Sequence, residues 1–142
     1  VNSELDIGLG IGVARRLRVL VAEDDVHMRE LVAHVLRREG LEVEEIPDGQ
    51  RLLVRLVEAF VPRRVGAAVD LVVSDVRMPF CSGLDVLKSV RLSRCPVPVL
   101  LMTAFGEQGL ERRVRELGGL LLDKPFTPLA LRTMVREILG RG

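Results

Sequence analysis

Short apolar runs alternate along this chain with longer stretches in which apolar residues recur every three or four positions. Val19-Leu20-Val21-Ala22 is the first run. Met28, Leu31, Val32, Val35 and Leu36 follow with the spacing of one helix face, and Gly40 closes the stretch. Residues 43–46, 71–74, 97–102 and 120–122 read as four further strands. Leu53, Leu56, Val57 and Phe60 mark the inner face of a second helix, and residues 84–92 a third. Leu110, Val114 and Leu117 mark a fourth; Leu131, Val135, Ile138 and Leu139 mark a fifth. Period switching of this kind predicts five strand–helix units. Such a succession folds as α/β, a parallel sheet with helices on both faces.

Two segments fall outside the rhythm. Residues 1–17 are expected to form a flexible leader; their Gly8-Leu9-Gly10-Ile11-Gly12 follows no strand, so it lacks the context of a phosphate-binding loop. Residues 61–68, "VPRRVGAA", read as a surface loop or an extension of the second helix. The folded domain is expected over residues 18–140.

Composition narrows the class. Apolar residues make up 48% of the chain and aromatics only 3%, so the core must be built from Val, Leu and Ile, as buried parallel strands require. The net charge of +1 gives no bulk field for nucleic acid, and no apolar run is long enough to span a membrane. Cys81 and Cys95 have no metal-ligand spacing and suit a reduced, cytoplasmic setting.

The chemistry gathers at one edge. Parallel strands align their carboxyl ends, and open α/β sheets bind ligands there. The first strand ends in Glu23-Asp24-Asp25, the third in Ser74-Asp75, the fourth in Thr103-Ala104 and the fifth in Asp123-Lys124-Pro125. Each alone has an ordinary reading as cap, turn or solvated charge. Together they bring acids, a hydroxyl and an ammonium to one place. Clustered carboxylates repel unless a cation neutralises them, and an oxygen-only set suits Mg²⁺. A carboxylate so placed can attack a phosphoryl group, with the ammonium and hydroxyl sharing the charge.

These motifs resemble those of the receiver domain of two-component response regulators. "VLVAEDDVHMRELV" resembles the family's first strand and acidic turn, "DVRMPFCSGLDVL" its phosphoacceptor segment, "PVLLMTAF" its hydroxyl-bearing strand and "DKPF" its lysine–proline turn. The likeness covers about residues 18 to 140. It implies a doubly wound, flavodoxin-like sheet in the order 2-1-3-4-5. It implies that Asp75 accepts a phosphoryl group from a sensor histidine kinase, that Asp24 binds Mg²⁺ directly and Glu23 through water, and that the Arg77 carbonyl is a further ligand. Asp75 would also contact the metal, Thr103 would bond a phosphoryl oxygen, and Lys124 would pair with Asp75 or its phosphate. Asp25 falls one place beyond the acidic pair and goes to capping the first helix. Phosphorylation would switch the face from the fourth to the fifth helix, which is also the candidate homodimer surface. The protein would be a transcription regulator whose output domain is missing from this chain, with no direct contact to nucleic acid or membrane.

Three departures stand out. The family commonly has an aromatic three residues before the lysine, where this chain has Leu121. A Gly118-Gly119 turn, expected to be mobile, precedes the fifth strand. The stretch from Gly49 to Asp75 is long by about two helical turns. A phosphorylation-independent docking module is therefore kept as an alternative. The other rival, an Asp-nucleophile phosphatase, needs a second Asp two residues after the first; that place is Arg77, which cannot deliver a proton. The chain is thus read as no metabolic enzyme. Its acyl phosphate would be lost slowly, because Arg77 and Phe105 flank the approach of water and neither is a general base. His27 and His34 read as surface residues, Cys81 as a loop cysteine, and Arg112, Arg113 and Arg115 as either a solvated face or a docking patch.

Overall fold

The computed structural model describes residues 15–60, 68–104 and 107–141. The leader up to residue 14 with its glycines, residues 61–67 of the insertion, and Phe105 lie outside the described residues. Ten elements alternate: β1 (Arg18–Ala22), α1 (Val26–Arg37), β2 (Glu42–Ile46), α2 (Gly49–Ala59), β3 (Leu71–Asp75), α3 (Gly83–Leu92), β4 (Val99–Ala104), α4 (Leu110–Glu116), β5 (Leu120–Lys124) and α5 (Pro128–Ile138). The strands form one sheet in the order β2-β1-β3-β4-β5, every neighbouring pair parallel. This is the doubly wound, flavodoxin-like arrangement expected.

Alternation along the strands divides the core between the two faces. Val19, Val21, Leu71 and Val73 pack with Val32, Leu36, Leu131 and Val135 of α1 and α5. Leu20, Ala22, Val72 and Leu101 pack with Leu52, Val86, Leu87 and Val114 of α2, α3 and α4. The strand period of two and the helix period near 3.6 meet in both layers.

Some inner faces differ from the pattern. Leu31 is 49% exposed, and Val57 and Phe60 also point outward, while Leu52 and Leu56 are buried. Helix α2 contains Leu52, Leu53, Val54, Leu56 and Val57, so two overlapping stripes fit a helical period, and the one facing β1 is buried. Strand β4 begins at Val99 rather than residue 97, because Pro98 accepts a ladder bond from Val72 N–H but has none to donate. It runs on to Ala104, and β5 runs on to Lys124, which pairs with Ala104.

The Gly118-Gly119 turn is anchored, contrary to the expected mobility. Arg91, in the last turn of α3, donates from Nε to Leu117 O (2.6 Å) and from Nη2 to Gly118 O (3.3 Å). Its Nη1 donates to Cys95 O and Val97 O, both at 2.9 Å. Gly118 has φ +70°, which favours glycine, and a Cβ on Gly119 would stand 2.8 Å from Leu87 Cδ2. Helix α4 is therefore held at its carboxyl end. Its other end starts at Gly109 with no side-chain cap.

Candidate functional site

The register of the sheet brings the strand ends level. Ala22 pairs with Ser74 and Asp75 with Met102, so Glu23, Asp75 and Thr103 come out at the same edge. The adjoining α1 and α3 start with side-chain caps. Asp25 accepts Met28 N–H at 3.1 Å, the role assigned to it above. Ser82 and Asp85 form a reciprocal capping box on α3. Gly83 N–H donates to Val76 O at 2.9 Å, and a Cβ at Gly83 would run into the Asp75 carbonyl. The glycine lets α3 close directly under the strand end that carries Asp75.

Glu23, Asp24 and Asp75 offer carboxylate oxygens that all lie within 4.8 Å of one another. Glu23 is 1% exposed and Asp75 8%, while Asp24 faces solvent. Lys124 joins the buried pair: its Nζ lies 2.8 Å from Asp75 Oδ1 and 3.0 Å from Glu23 Oε1. Glu23 Oε2 accepts Asp25 N–H at 3.2 Å, and Arg29 donates to the Glu23 carbonyl at 2.8 Å. The bond from Lys124 to Glu23 is absent from the expectations; the residues are 101 apart in sequence.

Electrostatics follow from burial and company. Burial raises the Glu23 carboxyl above its ordinary value; the Asp25 amide and Lys124 pull it back, and Asp75 adds to the rise. Burial alone would lower the Lys124 ammonium, but bonds and charge from Asp75 and Glu23 outweigh it and hold it above 10.5. Two of the three clustered acids, Glu23 and Asp75, thus share one ammonium. The donor set is oxygen only and partly open to solvent through Asp24, which suits a hard divalent cation.

The other candidates sort clearly. Thr103 is 5% exposed and its hydroxyl donates to Ala104 O at 3.1 Å. The Lys124–Pro125 peptide is cis. The Arg77 side chain reaches across to Glu107, Nη2 to Oε1 at 3.0 Å. His27, His34, Arg112, Arg113 and Arg115 are all exposed. Cys81 is buried, and burial, then the charges of Asp85 and Asp48, push its thiol up, away from thiolate chemistry. Leu121 sits between exposure and burial and lines an open groove of about 370 Å³ with Thr103, Glu107, Leu110 and Asp123.

Comparisons with known proteins agree with this geometry. The family profile described as "Response regulator receiver domain" matches residues 19–136. The transcriptional regulatory protein PdtaR of Mycobacterium tuberculosis is 39% identical over 112 residues, 78% of this chain and 50% of that protein. The transcriptional regulatory protein FixJ of Bradyrhizobium diazoefficiens is 32% identical over 125 residues, 87% of this chain and 57% of that protein. The chain spans about half the length of these curated relatives. A solved structure of the Vibrio cholerae chemotaxis protein CheY4 superposes with a TM-score of 0.75 at 28% identity, covering 88% of this chain and 100% of that one.

Proposed function

The chain belongs to the response regulator receiver domain family, and from that premise we propose that it is a phosphoacceptor switch in which Asp75 takes a phosphoryl group from a phosphohistidine on a sensor histidine kinase. The observation that carries this reading is the surroundings of Asp75. Its carboxylate is 8% exposed at the end of the central strand, with Lys124 Nζ 2.8 Å from Oδ1 and two further acids beside it.

In the transfer, an Asp75 oxygen forms a bond to phosphorus as the P–N bond to the donor imidazole breaks. The imidazole, protonated on its other ring nitrogen, keeps the electron pair of the broken bond and leaves as the neutral ring. Lys124 holds Oδ1, which leaves the second oxygen as the nucleophile, and its ammonium then pairs with the phosphoryl group. The Thr103 hydroxyl exchanges the Ala104 carbonyl for a phosphoryl oxygen. Asp24 and Asp75, with Glu23 through water and the Arg77 carbonyl, are the residues that would hold Mg²⁺. When bound, Mg²⁺ would neutralise the acid cluster and share the charge on the phosphoryl oxygens.

The read-out is assigned to α4, β5 and α5, the same face proposed for self-association. The relatives named transcriptional regulatory proteins are about one and a half times as long as this chain. Their names and lengths support a receiver joined to an output domain, acting on gene expression in the cytoplasm. No helix among the described residues is long and apolar enough to cross a membrane.

The test is chemical. Acetyl phosphate with Mg²⁺ should add one phosphoryl group to the chain by intact mass, EDTA should prevent it, and Asp75→Asn should abolish it. Asp24→Ala should remove Mg²⁺ binding, while Asp25→Ala, a cap change, should leave it. Equal labelling of Asp75→Asn would overturn the assignment. No labelling of the unaltered chain would favour a docking module that works without phosphate.

A further inference from the structure

A second surface feature owes nothing to the phosphoryl site. Between α3 and α4 runs an open groove of about 500 Å³, lined by Lys88, Arg91, Leu92, Arg113, Glu116 and Leu117. It shares no residue with the groove at Leu121. Each wall supplies residues at i, i+3 and i+4, so each helix presents a single stripe.

The walls are fixed. The guanidinium of Arg91 binds four backbone carbonyls, at Cys95, Val97, Leu117 and Gly118, tying the end of α3 to the end of α4. A groove held open this way needs little ordering when something enters it.

Leu92 and Leu117 give the groove its apolar surface, and Lys88, Arg91 and Arg113 outnumber Glu116 at its rim. Leu92 is 87% exposed, more than any other large aliphatic side chain among the described residues. Lys88, Arg94, Arg112, Arg113 and Arg115 make no ion pair among the described residues. On the α1–β2 side, by contrast, Arg18, Arg29, Arg37 and Arg55 all do. Arg16, Arg38 and Arg141 likewise make no ion pair among the described residues, but they lie apart from one another, whereas the five cations named before them gather around α3 and α4 and outnumber Glu116, the one acid that lines the groove.

We propose that the α3–α4 groove docks an acidic amphipathic segment of a partner protein, with apolar side chains on Leu92 and Leu117 and carboxylates against Lys88 and Arg113. Charge decides among the occupants. A second copy related by a two-fold axis would set the same cations against each other. Single-stranded nucleic acid would meet no aromatic platform, since neither α3 nor α4 contains Phe, Tyr or Trp. An acidic, apolar helix satisfies both the leucines and the rim, in the manner of helix-in-groove recognition.

The probe is a fluorescein-labelled amphipathic peptide of about 16 residues, Leu on one face and Glu on the other, long enough for four helical turns. Added to the full chain, it should bind saturably and shift amide resonances of residues 88–95 and 113–118. Arg113→Glu should weaken it by about tenfold and Leu92→Ser by about fivefold. Both side chains are exposed, so both variants keep the fold. Arg38→Glu, at the far end of α1, should leave binding unchanged. Shifts confined to the Leu121 groove, affinity indifferent to Arg113→Glu, or tighter binding of a (dT) oligonucleotide at the same residues would overturn the proposal. So would peptide binding that appears only after deletion of residues 1–14, because the occupant would then be the chain's own Glu4-Leu5-Asp6-Ile7 segment.

Discussion

Strands β3 and β5 are each five residues long, and each delivers a charged side chain to the carboxyl edge of the sheet. Strand β3 is buried at every position, while β5 is fully buried at none. The helices beside them differ in the same sense. Helix α3, after β3, starts with a capping box, whereas α4, before β5, has seven residues and no side-chain cap at its start. The acids around Asp75 thus rest on a packed and capped frame. The lysine that reaches them comes from a strand with solvent on part of its surface.

Under the proposed function, that contrast would separate two tasks. A nucleophile needs a fixed place, and packing density supplies it. A read-out surface needs two accessible states, which calls for few buried contacts and weak ends. Lys124 touches both regions, since its bonds to Asp75 and Glu23 cross from β5 to β3 and β1. A phosphoryl group on Asp75 would change the partner of the Lys124 ammonium, and the adjustment would fall on the less buried strand. The Arg91 clamp would narrow it further, toward the uncapped beginning of α4.

Paired truncations test the contrast at its largest. Leu71→Ala in β3, at a fully buried site, should cost about 2–5 kcal/mol of unfolding free energy. Leu121→Ala in β5 removes a partly buried side chain and should cost about 1 kcal/mol. Urea unfolding reads both, and equal losses would erase the distinction. Gly83→Ala should cost about 1–3 kcal/mol by overpacking against Asp75. It should also slow phosphorylation, and a neutral outcome would mean the strand end is less tightly set.

The smallest effect is one of pH. The folded state holds the Lys124 proton more tightly than the unfolded chain does. Its contribution is therefore complete below 10.5 and is lost as pH rises through the higher folded value. Glu23, also raised, gives stability that is present below 4.5 and lost as pH rises through its folded value. Lys124→Met should flatten the alkaline fall in urea midpoint. A fall unchanged in that variant would mean that other groups cause it.

Much of this frame is legible in the sequence because buried parallel strands are written as uninterrupted aliphatics, as at Val19-Leu20-Val21-Ala22 and Leu71-Val72-Val73. The acids stand out because they break those runs at the same end. Other features stay hidden for physical reasons. Helix α2 offers two apolar stripes, and only the position of the sheet chooses Leu52 over Val57. Arg91 looks like any cation near a helix end, and its carbonyl partners lie up to 27 residues away. The bond from Lys124 to Glu23 spans most of the chain and depends on the strand order.

Amide hydrogen exchange of the full chain, with and without acetyl phosphate and Mg²⁺, tests most directly whether chemistry and read-out are divided between these regions. The division predicts altered exchange at residues 107–122, largest at the uncapped start of α4 and smaller at the clamped 117–119, with 19–22 and 71–75 unchanged. Equal change in β1 and β3, or identical exchange in both states while Asp75 is phosphorylated, would contradict it.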